Sequence, residues 1–189
     1  MHLETIKDFD WLNEPEFNFA SGSLVVKAAL QTDFFQDKRS NIAKDNGHFF
    51  YAKQEGNFVF KVVWKIASDQ PEGAQYGLMG RIDAQNLCKL ALIKDKNENL
   101  FLSSSVIQNG YIDTAVQFLN VKCEEITFQL CVDDGYLNLF YSLDGTHFIF
   151  VRRFCFLAAD SKLAAGAYIC NPSTQNFAAV LKDISVKAY

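Results

Sequence analysis

Short stretches of alternating apolar and polar residues recur along most of the chain, with turn residues between them. In Tyr136–Ser142, for example, Leu137, Leu139 and Tyr141 occupy every second position. Roughly a dozen such segments follow one another at strand-like spacing, and no long amphipathic helix interrupts them. Phe58–Val63 is apolar on both faces, which favours two stacked sheets. The pattern therefore predicts an all-β fold, an antiparallel β-sandwich of the jelly-roll kind.

Three dipeptides between apolar segments are typical of tight turns. Asn109-Gly110 and Asp134-Gly135 each predict a β-hairpin, because both central residues of the favoured two-residue turn need a positive φ. Glu55-Gly56 lies between Gly47–Gln54 and Asn57–Ile66 and predicts a third hairpin.

Two opposite charges end the apolar strand Ala74–Asp83, which we expect to pair with Leu87–Ile93. Alternation places Met79, Arg81 and Asp83 on one face of this strand. The two charged residues are then about 6.6 Å apart along the strand. This spacing predicts either an ion pair between Arg81 and Asp83 or a site that grips a polar ligand.

A long polar stretch, Asp33–Asn46, shows no periodicity and is interpreted as a loop that lines a site. It begins with Asp33 and the adjacent aromatic residues Phe34 and Phe35. Together with Trp11 these rings could form a platform for a sugar, whose C–H face packs on aromatic planes. The alternative is that the rings anchor the core and the loop.

His48 follows a turn and could lie beside Arg81 as a polar contact or a general base, or else be a half-buried histidine with satisfied hydrogen bonds. The other two histidines, His2 and His147, form no constellation with it, so no histidine-based metal site and no cofactor are expected. The adjacent acids Glu124-Glu125 would face opposite sides of a strand, unlike the paired carboxylates of glycosidases. Carboxylates brought together from distant strands stay open as a hydrolase alternative.

Composition narrows the class of protein. The 189 residues suit one domain spanning 1–189, and 49% are hydrophobic. A net charge of −4 offers no basic surplus for nucleic acid or an anionic membrane, and no apolar run reaches the roughly 18 residues of a transmembrane helix. The N-terminus has no secretory pattern. An odd number of isolated cysteines predicts buried thiols in a reducing, cytoplasmic setting; they are Cys88, Cys123, Cys131, Cys155 and Cys170.

Several blocks, in order, resemble the regulation-of-enolase family, which is catalogued as domain of unknown function 1349. They are Thr32–Gln36, Asp45–Phe49, Gly77–Asp83, Tyr141–Gly145, Arg152-Arg153 and Cys170–Pro172. The resemblance implies the concanavalin A-like lectin/glucanase jelly roll and, by analogy of fold alone, sugar binding. That family usually has Trp where Phe35 stands. Glucanases of the superfamily carry a Glu-x-Asp-x-x-Glu string, which this chain lacks.

These observations lead to a non-catalytic binding module for a saccharide or sugar-like ligand on a concave sheet face. A protein-interaction role in regulating carbohydrate metabolism is the first alternative, and a glycoside hydrolase is the second. The candidate ligand-binding residues are Trp11, Asp33, Phe34, Phe35, His48, Arg81 and Asp83.

Overall fold

A computed structural model describes residues 6–120, 123–155 and 162–189. Within these ranges the chain forms sixteen β-strands and no α-helix. In chain order the strands are β1 (Asp10–Leu12), β2 (Glu16–Ala20), β3 (Ser23–Ala28), β4 (Phe34–Asp37), β5 (Ile42–Asp45), β6 (His48–Gln54), β7 (Phe58–Lys65), β8 (Gln75–Asp83), β9 (Asn86–Lys94), β10 (Leu100–Gln108), β11 (Tyr111–Phe118), β12 (Glu125–Asp133), β13 (Tyr136–Ser142), β14 (Ile149–Cys155), β15 (Leu163–Cys170) and β16 (Phe177–Ala188).

Two seven-stranded antiparallel sheets form a sandwich, so the predicted fold class is confirmed. The first sheet has the order β1-β6-β15-β8-β9-β10-β11, and the second has the order β14-β13-β12-β7-β16-β3-β2. The last two strands of the chain, β15 and β16, lie inside the first and second sheets respectively, each between two earlier strands.

The main core lies between the two sheets. Alternation along β8 points Tyr76 and Leu78 into this core, where both are fully buried. Trp64 of β7 crosses the sandwich, and its Nε1–H donates to the carbonyl of Gly77 at 3.0 Å. This bond gives the buried indole N–H a partner, which a buried polar group requires.

A second core lies on the outer face of the first sheet, the face turned away from the second sheet. Strands β4 and β5 form a small hairpin, here called the cover hairpin, that packs on this face. Phe34 from the hairpin and Phe49, Met79 and Tyr168 from the sheet are all buried there. The prediction of a structureless loop over Asp33–Asn46 is therefore wrong, because its aromatic residues bring a short hairpin onto the sheet.

The predicted hairpins have different outcomes. Turns at Asn109-Gly110 and Asp134-Gly135 join β10 to β11 and β12 to β13, as predicted. The predicted pairing of β8 with β9 is also confirmed. The third hairpin, at Glu55-Gly56, is wrong because β6 belongs to the first sheet and β7 to the second. The dipeptide turns the chain, but the turn carries it from one layer to the other.

Candidate functional site

Arg81 leaves the outer face of β8 beneath the cover hairpin. Its guanidinium donates to both carboxylate oxygens of Asp45, at 2.7 and 2.8 Å, in a bidentate ion pair. The Arg81 side chain is only 12% exposed, and its Cζ lies 5.8 Å from the centre of the Phe34 ring. The pair therefore ties the end of β5 to the sheet.

Asp83 does not pair with Arg81, which corrects the sequence-based expectation. A register irregularity between Arg81 and Asp83 ends regular alternation, and Asp83 is the last residue of β8, before the turn toward β9. Its carboxylate accepts from the Gln85 backbone N–H at 2.7 Å and from the Asn86 amide at 3.0 Å. Asp83 is thus an exposed residue at the end of the strand, bonded to the turn.

A buried lysine that was not predicted lies next to this ion pair. Lys89 of β9 is 5% exposed, and its ammonium donates to the Phe34 carbonyl at 2.6 Å and to Gln75 Oε1 at 3.4 Å. Asp33 Oδ1 is 4.0 Å away. The signal that could have revealed it is a single charge inside an apolar strand, since such a residue needs partners when it is buried.

Two further ionisable groups face this lysine, and neither ionises at neutral pH. Burial raises the pKa of the Tyr168 hydroxyl well above its usual value, and the nearby Asp33 carboxylate adds to the effect. Burial likewise raises the pKa of the Cys170 thiol to about 12, although the nearby Lys89 charge opposes this. The Tyr168 hydroxyl donates to Gln75 Oε1 at 3.2 Å. The cluster offers no thiolate nucleophile and no phenolate base.

His48 lies away from Arg81, which excludes the site contact and matches the alternative of a structural histidine with satisfied hydrogen bonds. Its neighbour Phe49 packs on the outer face of the first sheet, so the His48 side chain points to the opposite face. The Ala29 N–H donates to Nε2 at 2.9 Å, so Nδ1 carries the proton and donates to the Asn13 carbonyl at 2.5 Å. Burial lowers the pKa of His48. The ring is a neutral link between three backbone segments.

The aromatic platform predicted from Trp11, Phe34 and Phe35 is not assembled. Trp11 packs on Phe50, with ring centres 4.8 Å apart, at the margin of the main core. Phe34 has no exposed surface and turns edge-on to Tyr168. Phe35 is half-buried on β4. The rings of Trp11 and Phe34 thus belong to two different cores.

Gly47 explains how Phe34 fits. A Cβ at this position would lie 2.5 Å from the Phe34 ring, so only glycine lets the ring rest directly on the backbone. The Asp33 carboxylate accepts from the Phe34 N–H at 2.8 Å and fixes the start of the hairpin. Both contacts support the cover hairpin as a structural lid. Beneath it lie the pairs Arg81–Asp45 and Lys89–Asp33, here called the charged cluster.

Beyond the hairpin, strands β9–β11 present outer-face side chains to solvent. Register places these side chains in cross-strand rows, and we call them the open surface. The open surface comprises Ile93, Phe101, Ser103, Thr114, Val116 and Phe118. Phe101 and Phe118 meet with ring centres 5.7 Å apart, and Phe118 is 58% exposed. Thr114 Oγ1 is hydrogen-bonded to Ser105 Oγ at 3.1 Å. Register places Ser103 in the cross-strand row next to the two rings and Thr114 one row further along.

The cysteines only partly match the prediction of buried thiols. All five are free; Cys88 and Cys170 are buried, Cys123 and Cys131 are half-buried, and Cys155 is exposed. Across the described ranges no group of three or more His, Cys, Asp or Glu side chains is placed to hold a metal ion. In those same ranges no helix is long and apolar enough to span a membrane.

Comparison with known proteins identifies relatives over nearly the whole chain. The model of a family described as "Protein of unknown function (DUF1349)" matches residues 11–189. "Regulation of enolase protein 1" of Saccharomyces cerevisiae is 26% identical over 180 residues, which are 94% of this chain and 88% of that protein. These matches agree with the resemblance found in the sequence blocks.

Solved structures with the same fold extend the comparison. The crystal structure of a functionally unknown protein from Saccharomyces cerevisiae has a TM-score of 0.87 and 23% identity, covering 97% of this chain and 98% of that one. The GH43 protein BlXynB from Bacillus licheniformis has a TM-score of 0.76 and 16% identity, covering 96% of this chain. The match spans only 37% of BlXynB. At these identities the structures establish the shared jelly-roll sandwich and nothing about activity.

Proposed function

The chain belongs to the DUF1349 family, described as proteins of unknown function, and we propose that it is a non-catalytic module that binds a saccharide or sugar-like ligand. The ligand occupies the open surface of the first sheet. The observation that carries this proposal is the exposed Phe101–Phe118 ring pair, with Ser103 opposite Val116 in the next cross-strand row and Thr114 in the row after that. Hydroxyls donate to and accept from sugar hydroxyls, while an exposed ring packs on the C–H face of a pyranose.

The charged cluster supports the non-catalytic part of the proposal. The Asp45 carboxylate is held by Arg81 in a bidentate pair, and Asp33 faces Lys89 at 4.0 Å. Both oxygens of Asp45 are held by Arg81, and the Asp33 carboxylate accepts from the Phe34 N–H, so these carboxylates are engaged within the protein. These acids accordingly serve the cover hairpin, and no hydrolase is proposed.

A glycan array followed by calorimetric titration tests the proposal. We expect the wild-type protein to bind at least one soluble oligosaccharide from a set that includes xylo- and gluco-oligosaccharides. Phe118→Ala should weaken that binding by roughly fivefold, since a lost ring contact is worth about 1 kcal/mol. Phe19→Ala is the matched control, because Phe19 is 48% exposed on β2 of the other sheet. Absence of binding to every saccharide, or an unchanged affinity of the Phe118 variant, contradicts the proposal.

A second candidate function is protein interaction, and an exposed aromatic ridge at the sandwich margin favours it. Trp11 stacks on Phe17 with ring centres 5.5 Å apart, and Phe17 meets Phe19 edge-on at 6.4 Å. Phe17 and Phe19 are 39% and 48% exposed. Aromatic residues are enriched at protein interfaces, and the name of the yeast relative suggests enolase as the partner to test.

Sedimentation of this protein with purified enolase tests the second candidate. A complex that is lost in the Phe17→Ser/Phe19→Ser variant and kept in Phe118→Ser would support it. If the two proteins sediment independently at all concentrations, the aromatic ridge has no role in binding enolase.

A further inference from the structure

The two sheets end in four edge strands, and three of them carry features that discourage pairing with another strand. β1 has only three residues. β2 has five residues, begins with Glu16 and directly follows Pro15. β14 carries the adjacent Arg152-Arg153 and pairs irregularly with β13. Short length, charge, proline and bulges are the usual means by which edges avoid association.

The fourth edge strand, β11, lacks these features. It has eight residues, Tyr111–Phe118, contains no proline or lysine, and pairs with β10 in unbroken register. Its one charged residue, Asp113, is neutralised by Arg152 at 3.2 Å. Val116 and Phe118 are more than half exposed. β11 is therefore the edge best suited to accept another strand.

The direction of the backbone N–H and C=O groups shows which residues of β11 can bond to another strand. Gln108 and Tyr111 flank a two-residue turn and so form a hydrogen-bonded pair, and Leu119 N–H donates to Leu100 O at 2.9 Å. Odd-numbered residues of β11 thus bond to β10. The N–H and C=O groups of Ile112, Thr114 and Val116 point to the open edge instead.

We propose that β11 pairs antiparallel with β11 of a second copy, which joins two first sheets into one continuous sheet. A two-fold axis perpendicular to the sheet keeps outer faces on the same side, so outer-face residues meet outer-face residues. With this symmetry, only two registers pair most of the residues of β11 with the second copy. One is centred on Thr114 opposite itself, and the other on Ala115 opposite itself.

Both registers are chemically self-complementary, which is why a second copy fits this edge. In the first register Thr114 meets Thr114 and Ile112 meets Val116. In the second, Ile112 meets Phe118 and Thr114 meets Val116. Neither register places Asp113 opposite Asp113, so no like charges oppose each other. Apolar and Thr–Thr cross-strand pairs are among those that stabilise sheets.

Light scattering after size exclusion tests the pairing, with a monomer mass of 21.4 kDa as the reference. We expect the wild-type mass to rise toward twice this value as concentration increases. Val116→Pro removes an N–H that points to the open edge, where proline is tolerated, and should leave a folded monomer. Val116→Thr keeps that N–H and is the matched control, which should still dimerise.

Cysteine crosslinking then identifies the register. In a Cys123→Ser/Cys155→Ser background, Thr114→Cys or Ala115→Cys should form an intermolecular disulfide, since only the residue at the centre lies within about 7 Å of its copy. Crosslinking of either variant supports the pairing. A wild-type protein that stays at 21.4 kDa throughout, or a dimer that Val116→Pro does not change, overturns it.

Discussion

The outer face of the first sheet has two halves that differ in chemistry. Under the cover hairpin the face carries Arg81 and Lys89, both largely buried and both bonded to residues of the hairpin or its flank. On β10 and β11 the same face carries Ser103, Thr114 and Phe118, which are uncharged and reach solvent.

This difference distinguishes polar groups that hold the structure together from polar groups that a ligand can contact. A charge that is buried and fully paired contributes to holding the hairpin, because its hydrogen-bonding capacity is already used. The hydroxyls of the open half retain capacity for another molecule. Charged residues attract attention in a sequence, but here the uncharged half is the better place to look for a ligand.

The largest expected effect comes from removing the aromatic anchor of the covered half. Phe34→Ala should lower the free energy of unfolding by about 3–5 kcal/mol, because the fully buried ring leaves a cavity. Phe118→Ala in the open half should change it by less than about 0.5 kcal/mol. Urea unfolding of the two variants measures both values, and similar losses would contradict the division into two halves.

An intermediate effect is expected at the ion pair. Arg81→Lys should cost about 1–2 kcal/mol, because lysine cannot form the bidentate contact with Asp45. A double-mutant cycle with Asp45→Asn isolates the pair from other effects. Asp83→Asn is the control, since its carboxylate accepts bonds only from neighbouring turn residues. A larger loss from Asp83→Asn than from Arg81→Lys would show that the assignment of the ion pair is wrong.

The smallest expected effect is a pH dependence from His48. Its pKa is lowered by burial in the folded state, so below about pH 6.5 the unfolded chain binds the proton more readily. Stability is therefore complete above pH 6.5 and declines as the pH falls through the lowered folded value. Thermal unfolding between pH 7.5 and about 5.5 should show this decline in wild type and less of it in His48→Gln. An equal decline in the variant would assign the effect to other groups.

The sequence predicts the fold well and the site poorly, for identifiable physical reasons. Alternation and the Asn-Gly and Asp-Gly turns depend on near neighbours, and these predictions are confirmed. The partner of Arg81 is thirty-six positions away in sequence, on a hairpin that has no periodic signal. One irregularity after Arg81 was enough to remove Asp83 from the predicted pair.

His48 shows the same limit of prediction from one sequence. Its sequence position left two alternatives open, a contact beside Arg81 or a structural histidine, because its two partners, Asn13 and Ala29, are distant in the sequence. Lys89 was not predicted, because its partners Phe34 and Gln75 come from other strands. Which face each strand turns to the hairpin depends on the tertiary arrangement, which one sequence does not contain.

The interior position of the last two strands has a consequence for how the protein is made. During synthesis β6 and β8 emerge long before β15, which must insert between them. In the same way, β3 and β7 emerge before β16, which must insert between those two strands. Neither sheet is continuous until β15 and β16 have left the ribosome, so the contacts that complete both layers are the slow, non-local ones. Unpaired strand edges stay exposed during that interval and are open to aggregation. A chaperone that shields β-edges would bind the inner edges of β6, β8, β3 and β7 only before β15 and β16 insert, because the inserted strands then cover them.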